Sequence, residues 1–354
     1  MEVSTDSHSK TLLVINFVMD PTNQALSHQV EIVEALAENF RRVVVLTGFV
    51  NWKSTRPNIV IKCSNWYEGK NFQNLTRFFK HFFQIWKEYE IQTVFSHMAV
   101  IQSGLVAPFI RLKGVNHLLW YAHAKDSLYL RWTAFWVNLI VTSTKGSCPI
   151  RNSRVVYLGQ SVNSENFSQR IISRSGRLTR VVHVGRNDKS KNIGLLIKTV
   201  SDFRHFGFGL TLDLFGKPSN AENNHFFIKL EEEWKLAIEA GWLRFRGSIP
   251  RHEVANVLQN FDVFIHGFEG SLDKALLEAT LCGVPVVTIN SEYLEQFGSW
   301  SKLTTINLEN ELRALLQIPE KQLTSILQVR RAYTIQHHGF KRWIENLTLL
   351  LTQS

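Results

Sequence analysis

Val181-Val182-His183-Val184-Gly185-Arg186-Asn187-Asp188-Lys189-Ser190-Lys191-Asn192 is a short apolar run that breaks at a glycine into a basic, polar turn. Apolar residues without alternating polarity read as a strand covered on both faces, the habit of parallel sheets flanked by helices. Helical periodicity then occupies Asn192 to Phe203, so Gly185 opens a strand-to-helix turn. Arg186 and Lys191 stand there beside free backbone N–H groups, a setting in which a diphosphate would be both neutralised and hydrogen-bonded. Taken alone, such a turn is more often a solvated loop.

Working outward, the same alternation fills the chain. C-terminal to this stretch, strands read at Leu210 to Phe215, Leu243 to Phe245, Val263 to His266 and Val284 to Ile289, with a last short one at Thr304 to Ile306. Helices fit between them at Glu222 to Ala240, His252 to Gln259 and Leu272 to Leu281, and the final fifty residues read as helical. N-terminal to it, strands read at Leu12 to Met19, Val43 to Thr47, Ile59 to Ile61, Thr93 to His97, His117 to Tyr121, Leu139 to Thr142 and Val155 to Leu158. Helices begin near Ser27, Leu75, Ala99, Leu128 and Thr144, and the apolar rhythm lapses between Gln160 and Arg177, which reads as a linker. Two doubly wound α/β domains with a cleft between them are the economical architecture, because ligands of such sheets bind outside the carboxyl ends of the strands.

Composition narrows the class. The chain has 354 residues, 44% apolar and 20% charged, which suits two soluble folded domains and excludes disordered, collagen-like and membrane-embedded classes. No uncharged apolar run reaches the roughly 18 to 20 residues of a membrane span, and the polar start is unlike a signal peptide. Cys63, Cys148 and Cys282 are far apart, which excludes a disulfide framework and a multi-thiolate zinc site and makes a reducing, cytoplasmic compartment the expectation. The net charge of +10 is uneven: residues 1–170 carry 18 Lys and Arg against 11 Asp and Glu, residues 171–354 carry 22 against 19. Such a bias favours anionic partners.

The turn after the first strand, Asp20 to Ala25, has no glycine, so the dinucleotide fingerprint is absent, and no Walker-type phosphate loop occurs anywhere. Ser27 is placed to cap the helix that follows. A second constellation runs from Phe261 to Asn290: a strand, a polar turn with Gly270, a short helix, and a Gly283-Val284-Pro285 entry into a buried strand. Gly270 allows close approach of backbone to a ligand, and Ser271 is placed to cap the helix whose N-terminus would face an anion. Glu278, on the Lys274 face of that helix, reads as a surface residue unless a nucleotide lies beside it, when its two oxygens could accept both ribose hydroxyls.

The order of Gly185-Arg186 with Lys191, then Phe245-Arg246-Gly247-Ser248-Ile249-Pro250, then Gly270 to Asn290 resembles the nucleotide-binding domain of the family 4 retaining glycosyltransferases of GT-B fold. Trp120-Tyr121-Ala122-His123, Val141-Thr142-Ser143 and Leu158-Gly159-Gln160-Ser161-Val162-Asn163 resemble the same family more loosely. The resemblance implies an α/β fold of two Rossmann-like domains facing across a cleft. Residues 1–165 would form the acceptor side, 166–335 the donor side, and 336–354 a C-terminal helix packing back toward the first domain. It implies a hexose-type sugar moved from a nucleoside-diphosphate donor to a glycan, lipid-linked or cell-envelope acceptor, as in polysaccharide biosynthesis, without a further cofactor. It matches Gly185, Arg186 and Lys191 to the diphosphate grip, Glu278 to the ribose and the backbone of Ser248 and Ile249 to the base. The turn Gly270, Ser271, Leu272, Asp273 and Lys274 falls beside the sugar, with His123 on the acceptor side at the transferring centre.

One departure concerns the first glutamate of the family's motif, where this chain has Gly270. Either Glu269 reaches the sugar or Asp273 or backbone takes over that contact. No Asp-x-Asp pair lies on a loop, so an essential divalent metal is not expected. The helix Asn71 to Glu90 interleaves Phe72, Phe78, Phe79, Phe82, Phe83 and Trp86 with Arg77, Lys80, His81 and Lys87. It fits either a core stripe or an anionic membrane interface, and peripheral association at the inner face of a membrane is one expectation. Nucleic acid is not an expected partner, because the basic residues follow no recognition motif. A GT-B sugar-nucleotide epimerase and a non-catalytic nucleotide-sugar binder are the remaining alternatives.

Overall fold

A computed structural model describes residues 7–23, 26–66, 69–168 and 178–353. The chain divides into two compact units, residues 1–161 with 340–354, and residues 162–339. Half of the linker reading, residues 169–177, lies outside the described residues, as do Gln24 and Ala25 of the first turn.

The first unit contains β1 (Thr11–Met19), α1 (His28–Ala37), β2 (Arg42–Val50), β3 (Ile59–Cys63), α2 (Asn71–Glu88), β4 (Thr93–His97), α3 (Val100–Leu112), β5 (Asn116–Trp120), α4 (Leu128–Trp136), β6 (Leu139–Thr142) and β7 (Val155–Tyr157). Its seven strands pair wholly in parallel in the order β3-β2-β1-β4-β5-β6-β7. The strand sequences explain this. Every residue of β1 but Phe17 is buried, and its neighbours divide between two cores. Leu12 and Val14 meet α1, while Leu13 and Ile15 meet α2 and α3. The α1 face is completed from the other end of the chain, where Trp343 packs edge-on against Trp120 at 5.0 Å.

The second unit contains β8 (Arg180–Val184), α5 (Ile193–His205), β9 (Thr211–Phe215), α6 (Ala221–Glu233), α7 (Lys235–Glu239), β10 (Leu243–Gly247), α8 (Val254–Gln259), β11 (Val263–His266), α9 (Lys274–Leu281), β12 (Val286–Thr288), α10 (Ser291–Phe297), α11 (Leu308–Gln317) and α12 (Glu320–His338). The chain closes with α13 (Phe340–Thr352), which carries Trp343 and belongs to the first unit. The second sheet is also parallel, in the order β10-β9-β8-β11-β12. In each sheet the winding reverses once, between β1 and β4 and between β8 and β11. These are the places where an open α/β sheet leaves a crevice at its strand ends.

Three local expectations are corrected. Thr304 to Ile306 is irregular rather than a strand, and Thr144 opens only the three-residue 3-10 turn Lys145–Ser147. Ser27 has helical backbone angles and makes no side-chain cap, because Asp20 and Asn23 organise that turn: Asp20 Oδ1 accepts from the N–H and hydroxyl of Thr22, and Asn23 Oδ1 from the N–H of Leu26. Among the described residues no helix is long and apolar enough to cross a membrane.

Candidate functional site

The site is built at the reversal between β8 and β11. β8 leads directly into Gly185, whose N–H donates to Phe215 O at 2.9 Å, so the turn after β8 lies against the end of β9. Asn187 reinforces this by donating Nδ2 to Gly216 O at 3.0 Å, and the buried carboxylate of Asp188 accepts from the N–H of Ser219 at 2.8 Å. Arg186 remains exposed and leans on Asp188 at 3.2 Å. The turn closes as a 3-10 helix, Lys189–Lys191, and Asn192 leaves it in the left-handed region at φ 53°. There its side chain donates to Gly267 O at 2.8 Å. A Cβ on Gly267 would stand 2.9 Å from Lys191 O, so glycine is what lets the two turns meet.

Lys191 is drawn inward. Its ammonium lies 2.5 Å from Asp273 Oδ2 and 4.0 Å from the centroid of the Phe268 ring. Phe268 can fold back beneath it because the next residue but one, Gly270, has no Cβ; a methyl there would strike the ring. His266, at the end of β11, holds the same Asp273 oxygen at 3.2 Å, and Thr288 on β12 approaches His266 Nδ1 at 3.4 Å. A carboxylate only accepts, so His266 Nε2 carries the proton and Nδ1 accepts from the threonine hydroxyl. Burial lowers the pKa of His266 while the Asp273 contact works the other way, leaving a neutral imidazole in the fold. Burial also opposes ionisation of Asp273, but Lys191 and the His266 N–H outweigh it and hold that carboxyl well below the usual carboxylate range.

Asp273 has a third role. Its Oδ1 accepts from Ala275 N at 3.2 Å, so Asp273, not Ser271, caps α9. Asn290 shapes the preceding turn by donating Nδ2 to the carbonyls of Phe268, Gly270 and Ser271 at 3.0, 3.0 and 3.3 Å. Leu272 turns its side chain into the core, which leaves only its backbone for a ligand. Lys274 is half-buried at the first position of α9. Glu269 is exposed and lines a cavity of about 810 Å³ between α5, α10 and the start of α11.

Glu278 is buried one turn into α9 and accepts from Arg251. Arg251 follows Pro250 directly, so the half-buried Ser248 and Ile249 of the turn after β10 are tied through it to α9. Gly185, Arg186, Lys191, the 270–274 turn, Glu278, Ser248 and Ile249 thus all stand at the carboxyl end of one sheet. His183 lies beneath them: Nδ1 donates to Ile265 O at 3.0 Å, burial pulls its pKa down to about 3, and Nε2 has no hydrogen-bond partner among the described residues. A Cβ on Gly185 would come within 2.9 Å of that nitrogen.

His123 belongs to the first unit. It is exposed, three residues beyond β5, and its Nδ1 accepts from Lys125 N at 2.9 Å. At the reversal of that sheet the structure adds residues that sequence reasoning passed over. His97 stacks 6.2 Å from Trp120, and its Nδ1 accepts from the buried amide of Gln29 at 3.0 Å. In the second unit the omissions are His266, Asn290 and Arg251. A histidine ending a buried strand and an asparagine ending the Gly-Val-Pro strand were both visible in sequence, whereas the Arg251 to Glu278 pairing spans two elements and left no local mark. Among the described residues no three His, Cys, Asp or Glu side chains are grouped to hold a metal ion.

With this geometry in place, residues 179–299 match the family model described as Glycosyl transferases group 1. The fold is that of the GT-B glycosyltransferases. Sucrose-phosphate synthase from Thermosynechococcus elongatus superposes with a TM-score of 0.75 at 16% identity, over 96% of this chain and 98% of that one. Anabaena HepE in complex with UDP and glucose gives 0.74 at 12% identity, over 97% and 99%. A glycosyltransferase from Rickettsia africae gives 0.73 at 12%, over 97% and 98%. No curated protein matches the chain by sequence.

Proposed function

We propose that the protein is a retaining, metal-independent glycosyltransferase that moves a hexose-type sugar from a nucleoside-diphosphate donor to a glycan, lipid-linked or cell-envelope acceptor. The observation that carries this reading is the buried ammonium of Lys191 at the β8/β11 reversal, beside the N-terminus of α9. A lysine is desolvated there at a cost, and an anionic ligand at the strand ends gives that placement a use. The match of residues 179–299 to a glycosyltransferase model supports the same reading.

In this reading Lys191 and Arg186 grip the diphosphate, and the Gly270 to Lys274 turn offers backbone N–H groups to the donor. Glu278, steadied by Arg251, accepts the ribose hydroxyls, and the backbone of Ser248 and Ile249 meets the base. Asp273 is engaged by Lys191, His266 and the α9 cap, and Glu269 faces a separate cavity. Contacts to the sugar therefore fall to the backbone about Gly270. Cleavage of the sugar–phosphate bond leaves charge growing on the diphosphate, so a cation fixed against it stabilises the transition state more than the ground state. With no carboxylate free as nucleophile in the turn, the acceptor hydroxyl would attack from the leaving-group face and give its proton to a departing phosphate oxygen. His123 would act on the acceptor side, and a lipid-linked acceptor would place the enzyme at the inner, anionic face of a membrane.

The test is incubation with labelled UDP-, GDP- and ADP-sugars, with and without chelator. Transfer or hydrolysis with the α-anomer retained supports the reading. An isomerised donor would make the protein an epimerase, and binding without turnover a silent binder; either result overturns it.

A further inference from the structure

The helices α2, α3 and α4 cover one face of the first sheet, and their outer side is unlike the rest of the surface. α2 turns most of its aromatic stripe to the core: Phe78 and Phe82 are buried, and Phe83 and Trp86 pack on Phe109 of α3, while Phe72 at the helix start and one side of Phe83 stay exposed. The densest exposed apolar surface lies on α4. Leu130, Thr133 and Ala134 form its buried underside, while Leu128, Tyr129, Trp132 and Phe135 are 84%, 64%, 52% and 68% exposed. Leu128, Trp132 and Phe135 follow at i, i+4 and i+7, one helix face.

This face is held rigidly. Trp132 Nε1 donates to Gly104 O at 2.9 Å and Thr133 Oγ1 to Val100 O at 3.0 Å, an approach that only a glycine at 104 permits, since a Cβ there would lie 2.5 Å from Thr133 Oγ1. Ile101 and Leu112 of α3 are exposed as well. Charge is the second, independent observation. Residues 70–157, the segment bearing α2 to α4, hold 11 Lys and Arg against three Asp and Glu, whereas the remaining residues hold 29 against 27. Nearly all of the +10 is therefore here. Arg154 donates to Val137 O at 2.8 Å and to Phe135 O at 3.4 Å, which sets its cation at the end of the apolar face, and Arg111 and Lys113 flank Leu112; Arg131, beside Trp132, is paired with Asp126.

We infer that the α4 face, flanked by α3, is a docking surface for an anionic lipid bilayer. Leu, Trp and Phe on one helix face suit insertion among acyl chains, and the surrounding cations suit phosphate headgroups. RNA would call for stacking platforms along a basic groove, and aliphatic Leu128, Leu112 and Ile101 do not serve that purpose. The inference deepens the reading of a lipid-linked acceptor and takes its purpose from it, but its measurement does not depend on sugar transfer.

The full-length protein is sedimented with phosphatidylcholine vesicles and with phosphatidylcholine vesicles containing phosphatidylglycerol. Binding to the second set alone, released as salt rises, is expected. The double variant Leu128→Ser/Phe135→Ser should lower binding at least about tenfold. The single variant Leu236→Ser, an 81% exposed leucine on α7, should leave it unchanged. Retained thermal stabilisation by nucleoside diphosphate shows that the variants are folded and that the donor site is intact. Equal sedimentation of the double variant, or equal binding to neutral vesicles, overturns the inference. So does single-stranded RNA binding without vesicle binding, or a lipid-free dimer that the double variant abolishes, each assigning the face another occupant.

Discussion

The ammonium of Lys191 and the carboxylate of Asp273 are 2.5 Å apart, so the lysine placed at the strand ends already has an anion beside it. A diphosphate arriving there competes with Asp273 for the same cation. Lys191→Met should therefore abolish most donor turnover, on the order of 10² to 10³ in kcat/KM, the scale for losing one preorganised charge-stabilising donor. Asp273→Asn, which keeps the oxygen that caps α9 but removes the charge, should tighten nucleoside diphosphate binding about tenfold. Calorimetric titration of both variants decides this; if Asp273→Asn weakens binding as much as Lys191→Met, the carboxylate supports the ligand and does not compete with it.

Glu278 is buried and takes its charged hydrogen bond from Arg251, which is about half exposed. Arg251→Ala should leave the carboxylate without that donor, at a cost of about 1 kcal/mol in stability, the low end for a charged hydrogen bond open to solvent on one side. If the ribose reading holds, the same variant should raise the KM for donor several-fold with kcat little changed, since holding a ribose is uniform binding. Steady-state kinetics separates the two effects. A fall in kcat at constant KM would move Glu278 from the ribose to the reacting centre.

Much of this arrangement could be seen in the chain before folding was considered, and the physical reason is that parallel strands bury both faces. Leu139 to Thr142 and Val263 to His266 are read to the residue because each is three apolar residues closed by a polar one at a turn; Thr93 to His97 is read as well, although only Val94 and Phe95 in it are apolar. The helix ends were less legible. Ser27 and Ser271 are good capping residues by type, yet Ser27 makes no side-chain cap, and Asp273 caps α9 in place of Ser271 because its carboxylate stands two positions closer to the free N–H groups. Thr304 to Ile306 has strand composition but pairs with no strand. The site was legible as separate turns; that Lys191, His266 and Asp273 share one oxygen is a consequence of the β8/β11 pairing, which no local pattern encodes.

Buried imidazoles set the acid limit of the fold. Burial pulls His117 in the first unit and His183 in the second down to about 3, and His338 in the second to about 4. Unfolded, each takes up a proton near pH 6.5. Below that pH the unfolded chain binds protons that the folded chain does not, so stability is full above about pH 6.5 and falls as the pH drops toward 4. The slope is about 1.4 kcal/mol per pH unit for each group, and because the second unit also buries His266, whose pKa burial lowers, it should lose stability more steeply than the first. Asp273 adds to the loss only at lower pH, within and below the ordinary carboxylate range, because its folded pKa is depressed. Denaturant unfolding between pH 7 and 5 checks this, and midpoints that stay flat would mean these histidines are reached by solvent in the native state.

Gly216 provides the sharpest backbone test. It sits where the turns after β8 and β9 meet, at φ +147°, with its N–H donating to Gly247 O at 2.8 Å and its carbonyl accepting from Asn187. A Cβ there would lie 1.7 Å from Gly185 O, a backbone atom that cannot swing aside as a side-chain tip can. Gly216→Ala must push the two turns apart, and with them the start of the turn that carries Arg186 and Lys191. The cost should be about 3 kcal/mol or more, from backbone strain and the hydrogen bonds lost with it. Gly209→Ala meets nothing within 4 Å and has no positive φ, so it should change stability by no more than about 0.5 kcal/mol. Thermal unfolding of the two variants, followed by nucleoside diphosphate titration of whichever folds, connects this glycine to the ligand site. A Gly216→Ala protein as stable as the parent would show that the turns can separate freely and that Gly185 need not be held where it is for the site to form.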